Sequence, residues 1–540
     1  MHKIEGKIVD VVNRRIFEGS ISIESGKITE VNEHPVSDAR FILPGLVDAH
    51  IHIESSMLVP SEFAKLAVVH GTIATVSDPH EIANVLGVAG VEFMIQDGQQ
   101  VPLKFNFGAP SCVPATPFET AGAEINADDI VYLLKKPEIK YLAEMMNWPG
   151  VLNRDPLVMT KINIAKELGK PIDGHAPGLK GYNAKNYIDA DISTDHECFT
   201  IEEALDKLKY GMKILIREGS AAKNFEALIP LMKDHAAQLM FCSDDKHPDN
   251  LIEGHINQLV NRALAYDHDL FDVLTAASVN PVKHYNLEMG LLQPGDAADF
   301  LVADSIEPLS IVETWIDGEK VAENGKALFD AVSPEPINAF KATAKNLEEF
   351  KLDVTGAEVR VIEALDGQLV TTEKWVDSAL INNPTQSSTE ADVLKFVVVN
   401  RYQDVTPALA YIANFGLKEG AIASSVGHDS HNILAVGVDD ESIQRVVNLL
   451  VENQGGVAAV GKGKEMVLPL PVAGLMSLED GVKVGKKYEA IDAYAKELGS
   501  PLTSPFMSLS FMALLVIPSL KLSDKGLFNG DQFEFVSLFR

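Results

Sequence analysis

His50-Ile51-His52 closes an apolar run, Leu46 to His52, with two imidazoles two residues apart. In a strand, residues i and i+2 point to one face, so both rings can ligate a single metal ion. Such a triplet is commonplace alone. It gains weight because other apolar runs also end in ligand-type residues: His175 in Asp173-Gly174-His175-Ala176, His196 in Thr194-Asp195-His196-Glu197, and Asp244 in Cys242-Ser243-Asp244-Asp245. Two metals would need a bridging group. The natural one is Glu144, in Tyr141-Leu142-Ala143-Glu144-Met145, and the competing bridge is a carbamylated Lys140 earlier on the same run. Imidazole and carboxylate donors without thiolate suit Zn, Fe or Mn. Cys112, Cys198 and Cys242, widely spaced and without C-x-x-C, read as buried thiols.

Metal-held water has its pKa lowered toward neutrality, so the chemistry such a site implies is hydrolysis. Asp244 is expected to act as ligand and proton shuttle together. Glu197 and Asp245, beside ligands, can read a substrate's hydrogen-bond donors or be no more than solvated acids. Ser77-Asp78-Pro79-His80-Glu81 and Arg217-Glu218-Gly219-Ser220 follow two further runs. There His80 is a catalytic candidate, and Asp78, Arg217 and Glu218 are substrate-binding candidates, against the plainer readings of a helix cap and an ion pair. Far downstream, Ser424 to Asn432 packs His428, Asp429 and His431 into one stretch, which either joins the site, binds a further metal or is a hydrogen-bonded loop.

The elements that must position these residues alternate short apolar runs with helix-like stretches, the pattern of parallel strands joined by crossover helices. Eight strands are expected, at Leu46–His52, Thr72–Ser77, Leu103–Ala109, Ile139–Glu144, Pro171–His175, Asp191–His196, Met212–Arg217 and Gln238–Asp244. Their span of roughly 240 residues fits a (β/α)₈ barrel, in which chemistry sits at the C-terminal ends of the strands. Alternating residues from Gly6 to Val31, with a turn at Ser25-Gly26, form a hairpin signal, and β-rich sequence returns at Ala298–Val302 and Ile311–Val321. The expected organisation is α/β: a small β-sandwich from 1–45 plus 289–333, the barrel over 46–288, and an additional C-terminal α/β domain over 334–540. That domain should begin after Pro334-Glu335-Pro336 with a charged helix from Phe340 to Leu352. The apolar-rich stretch Met507–Arg540 is expected to bury against another subunit of a homo-oligomer, a dimer.

With 46 Lys and Arg against 77 Asp and Glu, the net charge of −31 repels phosphate backbones and anionic lipid, so neither nucleic acid nor membrane is an expected partner. No apolar run is long enough for a bilayer and no leader pattern opens the chain, which points to the cytoplasm. Nucleotide-binding and serine-hydrolase motifs do not occur in convincing contexts.

With these residues in view, the chain resembles the bacterial adenine deaminase family of the amidohydrolase superfamily over essentially its whole length. The resemblance is carried by Pro44-Gly45-Leu46-Val47-Asp48-Ala49-His50-Ile51-His52-Ile53-Glu54-Ser55-Ser56, by Asp78-Pro79-His80-Glu81 and by Gly174-His175-Ala176-Pro177-Gly178. It continues in Asp195-His196-Glu197-Cys198, Asp244-Asp245-Lys246-His247-Pro248 and, downstream, Pro469-Leu470-Pro471-Val472-Ala473-Gly474-Leu475-Met476. It implies hydrolysis of adenine to hypoxanthine and ammonia at a binuclear site, Mn or Fe by preference and Zn as the other option. His50, His52 and Asp244 would hold one metal, His175 and His196 the other, and Glu144 would bridge and share the proton chemistry. The alternative within the superfamily is hydrolysis of a cyclic amide or another aminopurine. One departure from the family pattern is Asn400-Arg401-Tyr402-Gln403, where no histidine follows the arginine.

Overall fold

The computed structural model describes residues 2–38, 40–220, 222–381 and 387–540. All eight expected barrel strands are present, as Leu46–Ile51, Thr72–Ser77, Lys104–Ala109, Ile139–Met145, Ile172–Gly174, Thr194–Asp195, Lys213–Arg217 and Leu239–Cys242. The first five form one parallel sheet and the last three another. Two seams join them. Ser193 N–H donates to Ile172 O at 2.9 Å on one side. On the other, Asp244 N–H donates to His50 O at 2.9 Å and His52 N–H to Asp244 O at 3.3 Å. The ring therefore closes through the backbone of the residues expected to hold metal. The first two strands are buried at every position, as strands packed on both faces must be.

The flanking β segments pair with each other, in one continuous eight-stranded sheet. Phe41–Pro44 is the splice: it runs parallel to His2–Asp10 and antiparallel to Phe300–Ile306. The sheet encloses Ile8, Ile21, Ile23, Ile28, Ile42, Phe300 and Val302. Its hairpin turns at Ser25 and Gly26, both at positive φ, the backbone such tight turns require. Lys104 of the third barrel strand reaches Asp299 at 2.7 Å and fastens sheet to barrel.

A second eight-stranded sheet, mostly antiparallel, fills the C-terminal part. Its strand Leu394–Val399 shows how period-two alternation serves two cores. Val397 and Val399 face the helix Asp440–Glu452, whose Ile443, Val446, Val447 and Leu450 cover that side. Phe396 and Val398 face the other way, into the core shared with the barrel. The expected helix over Phe340–Leu352 does not form; only the turn Leu347–Phe350 is helical. The preceding residues are tethered across the sheet instead, with Lys341 N–H on Arg401 O at 2.7 Å and Lys345 N–H on Asn448 Oδ1 at 2.8 Å. The first half of Met507–Arg540, expected against another subunit, packs within this chain, while Phe533 and Phe535 are exposed. Met507, Leu509, Met512 and Leu514 are buried within this chain, in the core shared by the C-terminal sheet and the barrel. No helix among the described residues is long and apolar enough to cross a membrane.

Behind the sixth strand, Lys207 donates to Asp195 Oδ2 at 2.5 Å, Glu203 Oε1 at 3.0 Å and Ala176 O at 2.7 Å, with 1% of its side chain exposed. Burial alone would lower this ammonium's pKa, but the two carboxylates raise it. Lys207→Met strands two buried acids, and the expected loss of unfolding free energy is about 3 kcal/mol. Denaturant melts would read it, and a loss below about 1 kcal/mol contradicts the assignment.

Candidate active site

Where the strands end, the chain must leave the sheet, and the ligand-type residues cluster at that rim. His50 and His52 sit on either side of Ile51 at the end of the first strand, with ring centroids 4.9 Å apart. Asp244 follows the eighth strand at a φ of 55°. Its Oδ1 lies 3.7 Å from His50 Nε2 and 3.2 Å from His52 Nε2. His196, stacked on His50 at 4.1 Å, turns Nε2 to Glu144 Oε2 at 3.3 Å. His175 Nδ1 lies 2.8 Å from the same oxygen. Glu144 thus divides its oxygens, with Oε1 3.4 Å from His52 Nε2 and Oε2 toward His175 and His196. All six expected ligands meet.

The electrostatics follow from burial. Glu144 is only 3% exposed, and burial alone would raise its pKa. The charge and N–H groups of His175, His196 and His52 outweigh that and hold it well below the usual carboxylate range. Burial likewise opposes the charge on Asp244, but Arg217 and His52 hold it well below its ordinary value. Arg217 pairs with both Asp244 and Glu197, and it is almost wholly buried. Burial, then the neighbouring His196, pushes His50 well down. Both ring nitrogens of His50, and Nε2 of His175, are buried without a hydrogen-bond partner. Buried imidazole nitrogens ordinarily find partners. Lone pairs turned among carboxylates, with no thiolate nearby, are the donor set of a divalent metal, so these residues fit one. Three-residue groups within the six, such as His50, His196 and Asp244, keep one donor atom each within 4.8 Å of one another.

The remaining candidates divide. His80 joins the cluster, with Nδ1 3.3 Å from Asp78 and 3.5 Å from Glu144. Asp78 accepts from the backbone N–H of His80 and of Glu144 and so braces those residues. Glu197, Arg217 and Asp245 line the cavity, Asp245 accepting from Ser55 at 2.5 Å. Glu218 does not reach it. It lies beside Arg217 in sequence and pairs with Arg262 at 2.7 Å on the outside, because consecutive strand residues face opposite ways. Lys140 is excluded as a bridge: it lines a separate cleft of about 690 Å³ with Lys104 and Glu288, at the opposite end of the strands. His428 and Asp429 reach the cavity from the C-terminal part, and His431 lies behind them on Glu81.

The sequence reading missed the apolar wall of Met146, Leu369, Phe511, Leu514 and Val516. No motif marks such residues; Phe511, Leu514 and Val516 lie in the stretch Met507–Arg540, whose expected place is against another subunit. The enclosed space is about 40 Å³.

Barrel and ligand set define the amidohydrolase class, and the profile described as Amidohydrolase family matches residues 41–323. A second profile, Adenine deaminase C-terminal domain, matches 368–534. An adenine deaminase of Sulfurovum sp. (strain NBC37-1) is 54% identical over 539 residues, covering 100% of both chains. Those of Salinibacter ruber and Methanosarcina acetivorans are each 52% identical, the first covering 99% of this chain and 98% of its own, the second 100% of both. The chain belongs to the adenine deaminase family.

Glu144→Gln removes the anion between the two sets of imidazoles. Bound metal after desalting, measured by ICP-MS, is expected to fall by at least about half relative to wild type; unchanged content overturns the placement of Glu144.

Proposed function

We propose that this chain hydrolyses adenine to hypoxanthine and ammonia, at a centre of two divalent ions, Mn or Fe by preference and Zn as the other option. The observation that carries the reading is Glu144, whose two oxygens are turned to different sets of imidazoles, as a bridging carboxylate requires. His50, His52 and Asp244 would hold one ion, and His175 and His196 the other. Bound there, divalent ions supply the Lewis acidity that makes water a nucleophile near neutral pH.

The chain's own residues account for the rest. Water adds to C6, the amino group leaves as ammonia, and C6 becomes the carbonyl carbon. Asp244 Oδ2 is engaged by Arg217, while Oδ1 faces His50 and His52, so the carboxylate is fixed and ionised where it can take the water's proton and pass it to the departing nitrogen. Arg217 also anchors Glu197, leaving that carboxylate on the cavity wall to accept from a ring N–H. Leu369, Phe511, Leu514 and Val516 keep bulk water away from the charges, which strengthens each interaction among them. The adenine deaminases that this chain resembles over its full length support adenine as the substrate. The position of Lys140 weighs against the cyclic-amide alternative, since it leaves no lysine to carry a carbamate bridge.

Mn-loaded protein incubated with adenine should release one ammonia per hypoxanthine formed, and chelator should abolish that release until Mn is restored. Asp244→Asn is expected to lower kcat by at least about 1000-fold, since it removes ligand and shuttle together. Absence of ammonia above the metal-free control would refute the proposal.

A further inference from the structure

Glu81 stands on the helix His80–Leu86, directly after the second barrel strand, and lines the cavity with 2% of its surface exposed. Its carboxylate is met by two imidazoles from the other end of the chain. His428 Nδ1 lies 2.6 Å from Oε1, and His431 Nε2 contacts Oε2. Which nitrogen of each ring carries the proton can be derived. Gly427 N–H donates to His431 Nδ1 at 3.2 Å, so that nitrogen offers its lone pair and the proton is on Nε2, the nitrogen in contact with Glu81 Oε2. Against His428 the carboxylate can only accept, so Nδ1 carries the proton. Burial would raise the pKa of Glu81, but the two histidines hold it well below its ordinary value.

The loop bearing both rings is itself fixed. His428 N–H donates to Ser510 O at 2.9 Å, and its ring stacks on Phe511 at 4.7 Å. Tyr402, which stands after Arg401 where the family pattern has a histidine, donates its hydroxyl to Ser430 O at 2.6 Å. Asn432 Nδ2 donates to Thr120 O of the barrel at 3.0 Å. This amount of fixation serves no metal ligand of the six.

We infer that the C-terminal domain completes the active site through His428 and His431, positioning residues that hold Glu81 between their rings as a hydrogen-bond acceptor toward the bound purine. Glu81 lines the cavity beside His80, its Oε1 3.5 Å from His80 Nε2, so a small change in its rotamer alters what the substrate meets. The inference rests on the deaminase reading, and wild-type activity on adenine is its control.

Because the two rings donate through different nitrogens, the side-chain amides that replace them differ as well. A glutamine amide lies where Nε2 was, and an asparagine amide where Nδ1 was. Four variants of the full, Mn-loaded chain separate the cases: His431→Gln, His431→Asn, His428→Asn and His428→Gln. At position 431 glutamine should retain kcat/KM within about threefold of wild type while asparagine loses about 10- to 100-fold, the worth of one hydrogen bond to a charged group. At position 428 the order should reverse. Metal content and Tm are read on the same samples. The crossed order at comparable metal content and Tm supports the clamp. Equal activities or the uncrossed order within a folded, metal-loaded pair, or losses that follow metal content or Tm in both pairs, overturn it. Each pair is read by itself, so misfolding of one pair leaves the other decisive. Inactive wild-type protein would refute the deaminase reading instead.

Discussion

A carboxylate deep in a protein interior is stable as an anion only if its surroundings answer its charge, and at Glu144 imidazoles from three barrel strands do so. Much of the architecture can be understood as what that arrangement demands. His52, His175 and His196 must arrive from different strands at one depth, and a closed barrel brings strand ends together at one rim. Their partners are constrained in turn. Asp244 needs Arg217 to stay charged, and Arg217 needs Glu197 beside it, so the charges form a connected set in which no member is neutralised by solvent. Asp48 repeats the theme one layer down, accepting from Ser243 and pairing with His255 at 2.7 Å beneath the first strand.

Local periodicity made much of this legible in the sequence. Most barrel strands announce themselves as short apolar runs, and ligand-type residues stand at their ends, so His50, His52, Glu144, His175, His196 and Asp244 could be placed without any knowledge of their contacts. The resemblance of motifs added the reaction. Adjacency misled at Glu218: it follows Arg217, the last residue of its strand, in backbone that still pairs with the eighth strand through Cys242 O, so its side chain goes to the other face, whereas Glu197 and His196 follow a strand that has ended at Asp195 and both reach the cavity. The segment Phe340–Leu352 carries charges and apolar residues at helical spacing, yet its backbone donors are taken by Arg401 and Asn448. That competition depends on tertiary neighbours and leaves no local trace.

What the sequence could not convey is the meeting of distant segments. Glu81 and His428 are 347 residues apart and belong to different sheets' surroundings. The apolar wall has the same character. Leu369, Phe511, Leu514 and Val516 are ordinary core residues by type, and only the docking of the second sheet on the barrel turns them toward a polar cavity. The barrel supplies the ligand-type residues, and the C-terminal part supplies most of the enclosure together with His428 and Asp429.

The seam between the first and eighth strands has a thermodynamic meaning as well as a geometric one. The amides that close the ring belong to His52 and Asp244, and the carbonyls that receive them belong to Asp244 and His50. Whatever draws those side chains together also draws the last strand to the first. A ligand bound only by the folded form adds a free energy that grows with the logarithm of its concentration. For this chain, then, the supply of divalent ions in its surroundings becomes a variable of folding, and a barrel assembled in scarcity would breathe first at the join where its own chemistry resides.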